Sequence, residues 1–307
     1  MDKIKNITLH ITQANLLGWL ESLSSATKAY VKLLKLRLSM LVAMSAIFGY
    51  ALAAGSPFNW SMLALIGLGG LMVTGASNIL NQIFEKDLDA LMNRTSDRPL
   101  PTGEVSISGA LVFSLLLGLA GVVLLGYVFN LVTALLGFIG LLQYGFVYTP
   151  MKRVSPFSVF VGAIPGALPP LIGWVAYTGQ LDTPGILLFV FQFFWQFPHF
   201  WAIAWMLDDD YKKAGFKMLP TSEGRSSGGA RLILLYTLCL VPLCWFPYQL
   251  MMINVWGMGL LIIAGALFCV PAYLLWTKLE MKHAKRLMFA SFIYLPVIQL
   301  IFIFFRI

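Results

Sequence analysis

Long apolar stretches alternate with short polar clusters along this chain, and each stretch is as long as a bilayer is thick. A bilayer core takes about 20 apolar residues per helix. Charged clusters and Pro/Gly turns divide the chain into nine such stretches, near 38–55, 60–82, 107–128, 131–149, 157–177, 185–206, 232–252, 256–275 and 287–305. The break between the third and fourth rests on Asn130 alone, and that between the seventh and eighth on Ile253, Asn254 and Val255. The predicted fold is all-α: a polytopic membrane domain of nine transmembrane helices over 38–307, after an N-terminal cytoplasmic segment, 1–37. Within that segment, residues 14–37 fit an amphipathic helix at the membrane surface. Residues 1–30 lack a hydrophobic stretch followed by a small-residue cleavage site, so they read as carrying no cleavable secretory signal.

Composition excludes the alternatives to a membrane protein. Of 307 residues, 59% are hydrophobic and 11% charged, and the mean hydropathy is +0.82, which rules out a soluble cytoplasmic protein, a disordered chain and a collagen. Cys239, Cys244 and Cys269 all lie in apolar runs and suggest neither a disulfide framework nor a cysteine metal site. The net charge of +8 reads as topology rather than nucleic-acid binding, because no basic domain is large enough to hold a duplex. With nine spans, twenty of the twenty-one Lys and Arg fall on one side, Arg306 being the exception. That side is cytoplasmic by the positive-inside rule, which places the N-terminus inside and the C-terminus outside. Twelve of the thirteen Asp and Glu lie on the same side, all but Asp182. Positive-inside bias does not require this, so chemistry is expected at the cytoplasmic face.

Two dense polar segments carry that expectation. In the first, residues 78–103, Asn78, Asn81 or Gln82, Glu85 and Asp89 recur every three or four residues and share a face if the second helix continues past Asn81. Carboxylates one turn apart repel unless a cation lies between them, and Asn81, Glu85 and Asp89 offer the hard oxygen donors that suit Mg²⁺ shared with substrate phosphates. Arg94 and Arg98 follow four residues apart, suited to holding phosphate oxygens. The competing reading is a helix that becomes polar as it leaves the bilayer, with the arginines paired to Asp97 or to lipid headgroups.

In the second segment, residues 195–220, His199, Ala202 or Ile203, Met206 and Asp210 form a stripe from the apolar interior to an acidic mouth. Asp208, Asp209 and Asp210 offer a second metal site or a way to polarise Tyr211 and the lysines, and Lys212, Lys213 and Lys217 can neutralise diphosphate. A lone histidine in an aromatic run is often a hydrogen-bonded core residue, yet in a membrane helix it is a functional candidate by default. Tyr144, Tyr148, Lys152 and Arg153 recur at helical spacing at the inner end of the fourth helix, where an aromatic belt explains the tyrosines almost as well. The two acidic clusters, about 120 residues apart, suggest half-sites converging above an apolar cavity, which suits a hydrocarbon chain with a diphosphate head.

The segments NQIFEKDLDALMNRTSDRPLPTG and HFWAIAWMLDDDYKKAGFKMLP closely resemble the protohaem IX farnesyltransferase (haem O synthase) branch of the UbiA-type intramembrane prenyltransferases. The resemblance runs from about residue 35 to the C-terminus. It implies transfer of farnesyl from farnesyl diphosphate to a vinyl group of haem B with addition of water, in the bacterial inner membrane and with Mg²⁺. The haem O produced would pass to a haem-copper oxidase assembly pathway or a haem A synthase. On this chain the resemblance places the first diphosphate–Mg²⁺ motif at Asn81, Glu85 and Asp89, with Arg94 and Arg98 as phosphate clamps. Asp210, as a further metal ligand, Lys212 and Lys213 belong to the second region, and His199 to haem contact or proton transfer. Tyr148, Lys152, Arg153 and Trp201 complete the candidates for substrate contact, with Phe194, Trp195 and Phe197 as further walls of a flat acceptor pocket. Many relatives in the wider superfamily carry Asp where Glu85 stands and a fuller acidic repeat in the second motif, so the second cluster here acts mainly through its cations. The alternatives are the same chemistry on a quinone precursor, chlorophyllide or another flat aromatic acceptor, and a membrane transporter. A transporter predicts charges at midplane and polar openings on both faces; a structural role in assembly leaves the acidic array without a purpose.

Overall fold

A computed structural model describes residues 24–307. Among the described residues the protein is helical throughout and has no β-strand, with only an isolated bridge between Ile253 and Arg306. Among the described residues nine helices are long and apolar enough to cross a membrane: α1 (Leu36–Ala54), α2 (Trp60–Phe84), α3 (Ile107–Val128), α4 (Leu131–Met151), α5 (Ser158–Thr178), α6 (Thr183–Lys213), α7 (Ser227–Gln249), α8 (Val255–Lys278) and α9 (Met281–Phe304). The surface helix expected over 14–37 lies partly outside the described residues. Its described part is a helix over 24–33, and Ala29 and Leu33 pack with Ile79, Leu100, Val105 and Ala110.

Short polar residues set most of the helix starts. Asn59, Ser106, Asn130, Asp182, Ser226 and Asn254 each accept a hydrogen bond from the backbone N–H three residues on, beginning α2, α3, α4, α6, α7 and α8. Asn130 and Asn254 therefore make the two breaks that rested on so little sequence, and Asp182, alone among the acids on its side, is a cap. Helices α6, α7 and α9 run five to seven residues past the apolar stretches, α6 to Lys213, α7 from Ser227 and α9 from Met281. Hydropathy marks where a helix is dry; the backbone ladder continues past that point through polar residues, and at the start of α7 even through Gly228 and Gly229, which have low helix propensity.

α1 packs against α2 and α5, and α2 to α5 close a first bundle with it; α6 to α9 form a second bundle, joined to the first through α5 and α6. The light contact between α1 and α9 includes a hydrogen bond from Gln299 Nε2 to Ser45 Oγ at 3.2 Å and an edge contact of Phe48 with Phe302. Where α1 crosses α5, a methyl on Gly49 would collide with the Pro170 carbonyl and one on Gly173 with the Ala46 carbonyl, so the approach of these helices depends on glycine. Polar segments follow α2 and α6 at the same end of the bundle.

The α5–α6 seam repairs a broken backbone. Pro165, Pro169 and Pro170 lie inside α5, and Pro170 has no N–H for the Gly166 carbonyl one turn earlier. Gln192 of α6 supplies the missing donor, Nε2 to Gly166 O at 2.9 Å, and Gln196 donates to Ala163 O at 2.9 Å. In an apolar surrounding an orphaned carbonyl is costly. Gln192→Leu is expected to lower stability by about 1 kcal/mol, read as a lower thermal midpoint in detergent. Pro170→Ala in that background returns the N–H and recovers part of the loss.

Candidate active site

The site is built from the inner end of α2. The helix ends at Phe84 and a separate turn covers Lys86–Asp89, yet the ladder persists across the break, with Glu85 N donating to Asn81 O at 3.0 Å and Asp89 N to Glu85 O at 2.7 Å. Asn81, Glu85 and Asp89 therefore keep one face, as their spacing predicts. All three are buried, Asp89 completely. Asn78 and Gln82 are structural: Asn78 donates to Ser39 Oγ (3.0 Å) and Gln82 to Leu33 O (2.8 Å), tying α2 to the first turn of α1 and to the segment before it.

Each buried carboxylate has a cation from another part of the chain. Lys152 Nζ, past the end of α4, lies 2.8 Å from Glu85 Oε1, and Arg98 Nη1, in the loop after the turn, lies 2.6 Å from Asp89 Oδ2. Burial works against the charge on Lys152, but the Glu85 carboxylate outweighs it and holds the ammonium above the ordinary lysine range. Lys35 completes the group, donating to Asn81 Oδ1 at 3.2 Å, while Asn81 Nδ2 donates to Thr149 Oγ1 at 3.2 Å. Burial, then the charges of Arg98 and Lys152, lower Lys35 to about 7. It stands in the left-handed region (φ 48°) at the junction before α1. Sequence reasoning missed Lys35, which sits in a basic run that topology alone explains; its value comes from a backbone turn with no sequence signal.

The second segment meets the first directly. Asp210 accepts the backbone N–H of Asn93 at 2.9 Å and of Arg94 at 3.3 Å, and Lys213 Nζ lies 3.1 Å from its Oδ1. Asp210 thus anchors the loop carrying Arg94 and Arg98, and the Arg94 side chain is left exposed. Lys212 pairs with Asp208 at 2.7 Å. Asp209 pairs with Arg225, which also donates to Trp205 O. Lys217 N donates to Lys152 O at 2.8 Å, joining the loop after α6 to the end of α4.

From α4, Tyr148 is buried against Gly162 of α5, and Lys152 Nζ lies 4.7 Å from its ring centroid. Both tyrosines sit on a π-helical turn, Gln143–Tyr148, a feature frequent at functional sites. Arg153 is exposed, and among the described residues no hydrogen bond or ion pair ties it to the cluster. The expected aromatic pocket divides in two. Trp195 and His199 face α9 through Ser291, whereas Phe194, Phe197 and Trp201 pack with Tyr236 of α7. The reason is helical geometry: His199 and Trp201, two residues apart, project about 200° apart around α6.

Among the described residues no group of three or more His, Cys, Asp and Glu side chains forms a protein-only metal cage. The oxygens present do fit Mg²⁺ bound jointly with phosphate, which takes one or two carboxylates rather than a full set of protein ligands. Asp89 Oδ1 is buried with no hydrogen-bond partner, and Glu85 Oε1 has an ammonium nearby but no aligned hydrogen bond. Buried carboxylate oxygens of that kind call for a ligand.

Comparison with known proteins places the chain in a family. Residues 42–295 match the model of the UbiA prenyltransferase family. The chain is 46% identical to a protein named Protoheme IX farnesyltransferase from Cytophaga hutchinsonii, over 92% of this chain and 98% of that one. It is 41% identical to a protein of the same name from Christiangramia forsetii, over 91% and 94%. Its fold is similar to that of a digeranylgeranylglyceryl phosphate synthase, with a TM-score of 0.76 and 22% identity over 91% and 98% of the two chains. It is also similar to a UbiA homolog from Archaeoglobus fulgidus bound to GPP and Mg²⁺, with a TM-score of 0.66 and 16% identity over 89% and 99%.

The anchoring of the loop after α2 is testable independently of catalysis. Asp210→Ala removes the acceptor for two backbone N–H groups, so amide exchange at Asn93 and Arg94 is expected to accelerate by about tenfold, for roughly 1.4 kcal/mol lost from the anchored state. Unchanged exchange there would mean that Asp210 does not hold the loop.

Proposed function

Because the chain belongs to the UbiA prenyltransferase family, we propose that it transfers the farnesyl group of farnesyl diphosphate to a vinyl group of haem B, with addition of water, to give haem O and diphosphate. The observation that carries the chemistry is the buried Glu85–Asp89 pair ringed by Lys35, Arg98 and Lys152 at the end of an apolar bundle. The name shared by its relatives, Protoheme IX farnesyltransferase, chooses the acceptor.

Arg98 and Lys152 offset the two carboxylates, and Lys35, lowered to about 7, adds a further positive charge when it is protonated. Lys35, Arg98 and Lys152 bind the diphosphate and stabilise the charge it gains as the carbon–oxygen bond ionises; the exposed Arg94 adds a contact from the loop. Mg²⁺, when bound, would be held by Glu85 and Asp89 with Asn81 beside them, and would neutralise phosphate charge there. The apolar faces below hold the farnesyl chain and keep bulk water from the allylic cation. The vinyl π electrons form the new carbon–carbon bond, leaving a cation on the other vinyl carbon, which one water captures with release of a proton. Tyr144 and Tyr148 present aromatic rings near the mouth, suited to stabilising a cation. Lys213 serves this site through Asp210, which holds the loop of Arg94 and Arg98.

The protein is an integral membrane protein, and the one-sided charges support an orientation with the N-terminus and this site at the cytoplasmic face of the bacterial inner membrane. Its product suits a haem-copper oxidase assembly pathway or a haem A synthase as consumer.

Purified protein in lipid, given haem B, farnesyl diphosphate and Mg²⁺, is expected to yield a haem heavier by one farnesyl and one water, and EDTA to abolish the product. Glu85→Gln and Asp89→Asn should each lose at least about 100-fold in kcat while remaining monodisperse. Lys35→Met should raise KM for farnesyl diphosphate more than KM for haem. Wild-type rates in both carboxylate variants would remove the metal role. Consumption of donor only with a quinone precursor would move the protein to another acceptor.

A further inference from the structure

A hydrogen-bonded chain from α4 to α2 decides which end of the Asn81 amide faces the mouth. Asn81 Nδ2 lies 3.2 Å from Thr149 Oγ1, and Thr149 Oγ1 lies 2.9 Å from the Tyr144 carbonyl oxygen. The carbonyl has no proton to give, so the single hydroxyl hydrogen of Thr149 is spent on it. Oγ1 then has only lone pairs for Asn81, and the amide must turn its NH₂ group to α4. Its oxygen, Oδ1, is left for the mouth, where Lys35 Nζ donates to it at 3.2 Å. The reverse orientation would set an oxygen against the Thr149 lone pairs and an NH₂ group against the Lys35 ammonium, so both contacts select the same one.

The π-helical turn puts Thr149 in place for this. An α-helical threonine turns its hydroxyl back to the carbonyl three or four residues earlier. Over Gln143–Tyr148 the ladder is one residue wider, and both the N–H and the hydroxyl of Thr149 reach the carbonyl of Tyr144, five residues back. The turn is pressed against α2: a methyl on Gly145 would stand 3.3 Å from Leu80 Cδ1, and Phe146 meets Phe84 edge-on with centroids 5.5 Å apart. Asn81 and Thr149 are only 2% and 3% exposed, so bulk water does not replace a partner that either one loses.

We propose that Thr149 is a positioning residue for the cation site: by holding Nδ2 it keeps Oδ1 of Asn81 turned to the mouth, on the face shared with Glu85 and Asp89. The inference rests on one part of the function proposed above, the binding of a divalent cation together with diphosphate, and the identity of the acceptor plays no part in it. An amide offers a cation only its oxygen, so an asparagine, unlike a carboxylate, serves in one of its two orientations. Thr149 removes the wrong orientation before any ligand arrives, and until then the same oxygen holds Lys35. A partner that orients a ligating side chain in this way commonly governs affinity almost as strongly as the ligand itself.

The test uses the full chain in lipid nanodiscs without haem, with Mn²⁺ as a paramagnetic stand-in for Mg²⁺ and an unreactive farnesyl thiodiphosphate, in which sulfur replaces the bridging oxygen. Free Mn²⁺, counted by electron paramagnetic resonance, gives the affinity without turnover. Thr149→Val, which exchanges the hydroxyl for a methyl of similar size, is expected to weaken Mn²⁺ binding by about 10- to 100-fold, while Thr149→Ser, which keeps the hydroxyl, should retain it. Asn81→Asp presents an oxygen whichever way it turns, so adding Thr149→Val to it should cost nothing further. General damage to the site would instead weaken both backgrounds equally. Thermal midpoints and elution profiles identify a variant that fails to fold, and Thr149→Ala then takes the place of Thr149→Val. Wild-type affinity in Thr149→Val overturns the proposal, as does an equal loss on both backgrounds, and either result leaves the metal role standing. A wild type that binds no Mn²⁺ with the analogue overturns the metal role and the proposal together. A protein that shows the dependence on Thr149 and makes no haem O keeps the proposal and loses the acceptor.

Discussion

Two carboxylates removed almost entirely from water, Glu85 and Asp89, are the constraint on which this end of the molecule depends. Buried charge must be matched by buried charge, and stripping one partner from such a pair costs about 3–5 kcal/mol. The matching cations come from two places, Lys152 after α4 and Arg98 in the loop after α2, and Lys35 before α1 joins them through Asn81. The cluster as a whole therefore positions three chain segments at once. The same pairing keeps the site responsive, since an anionic substrate competes for the cations while a divalent cation competes for the carboxylates.

Beneath that end, the scaffold manages the demands of an apolar surrounding. Gly49 and Gly173 let α1 and α5 approach at backbone distance, and Gln192 restores the hydrogen bond that Pro170 removes from α5. These devices converge on α5, which neighbours α1, α4 and α6 together, so the irregular helix is also the one that relates the two bundles. The precision of a site assembled from several helices depends on such supports.

α6 shows how one helix divides its labour by angle. Gln192 and Gln196 serve α5, Trp195 and His199 serve α9, and Phe194 and Trp201 serve α7. At its inner end, three consecutive aspartates take separate partners, Lys212, Arg225 and the N–H groups of Asn93 and Arg94 with Lys213. A run that reads as one acidic motif is spent as three separate fastenings because consecutive helical residues point in different directions.

The sequence by itself determined the nine spans, the side on which the charges gather, and the shared face of Asn81, Glu85 and Asp89. Each of these follows from a local rule: bilayer thickness, charge partition between loops, and the 3.6-residue period, which outlasts the break at Glu85. Tertiary structure alone decided that Lys35 joins the site, that Arg153 stays out while its neighbour Lys152 goes in, that Asp210 grips the loop of Arg94, and that His199 and Trp201 part company. Those facts depend on which helices stand beside one another and on one left-handed turn at Lys35. Residues dozens of positions apart become partners only when packing brings them together, and hydropathy and spacing do not record which helix is whose neighbour.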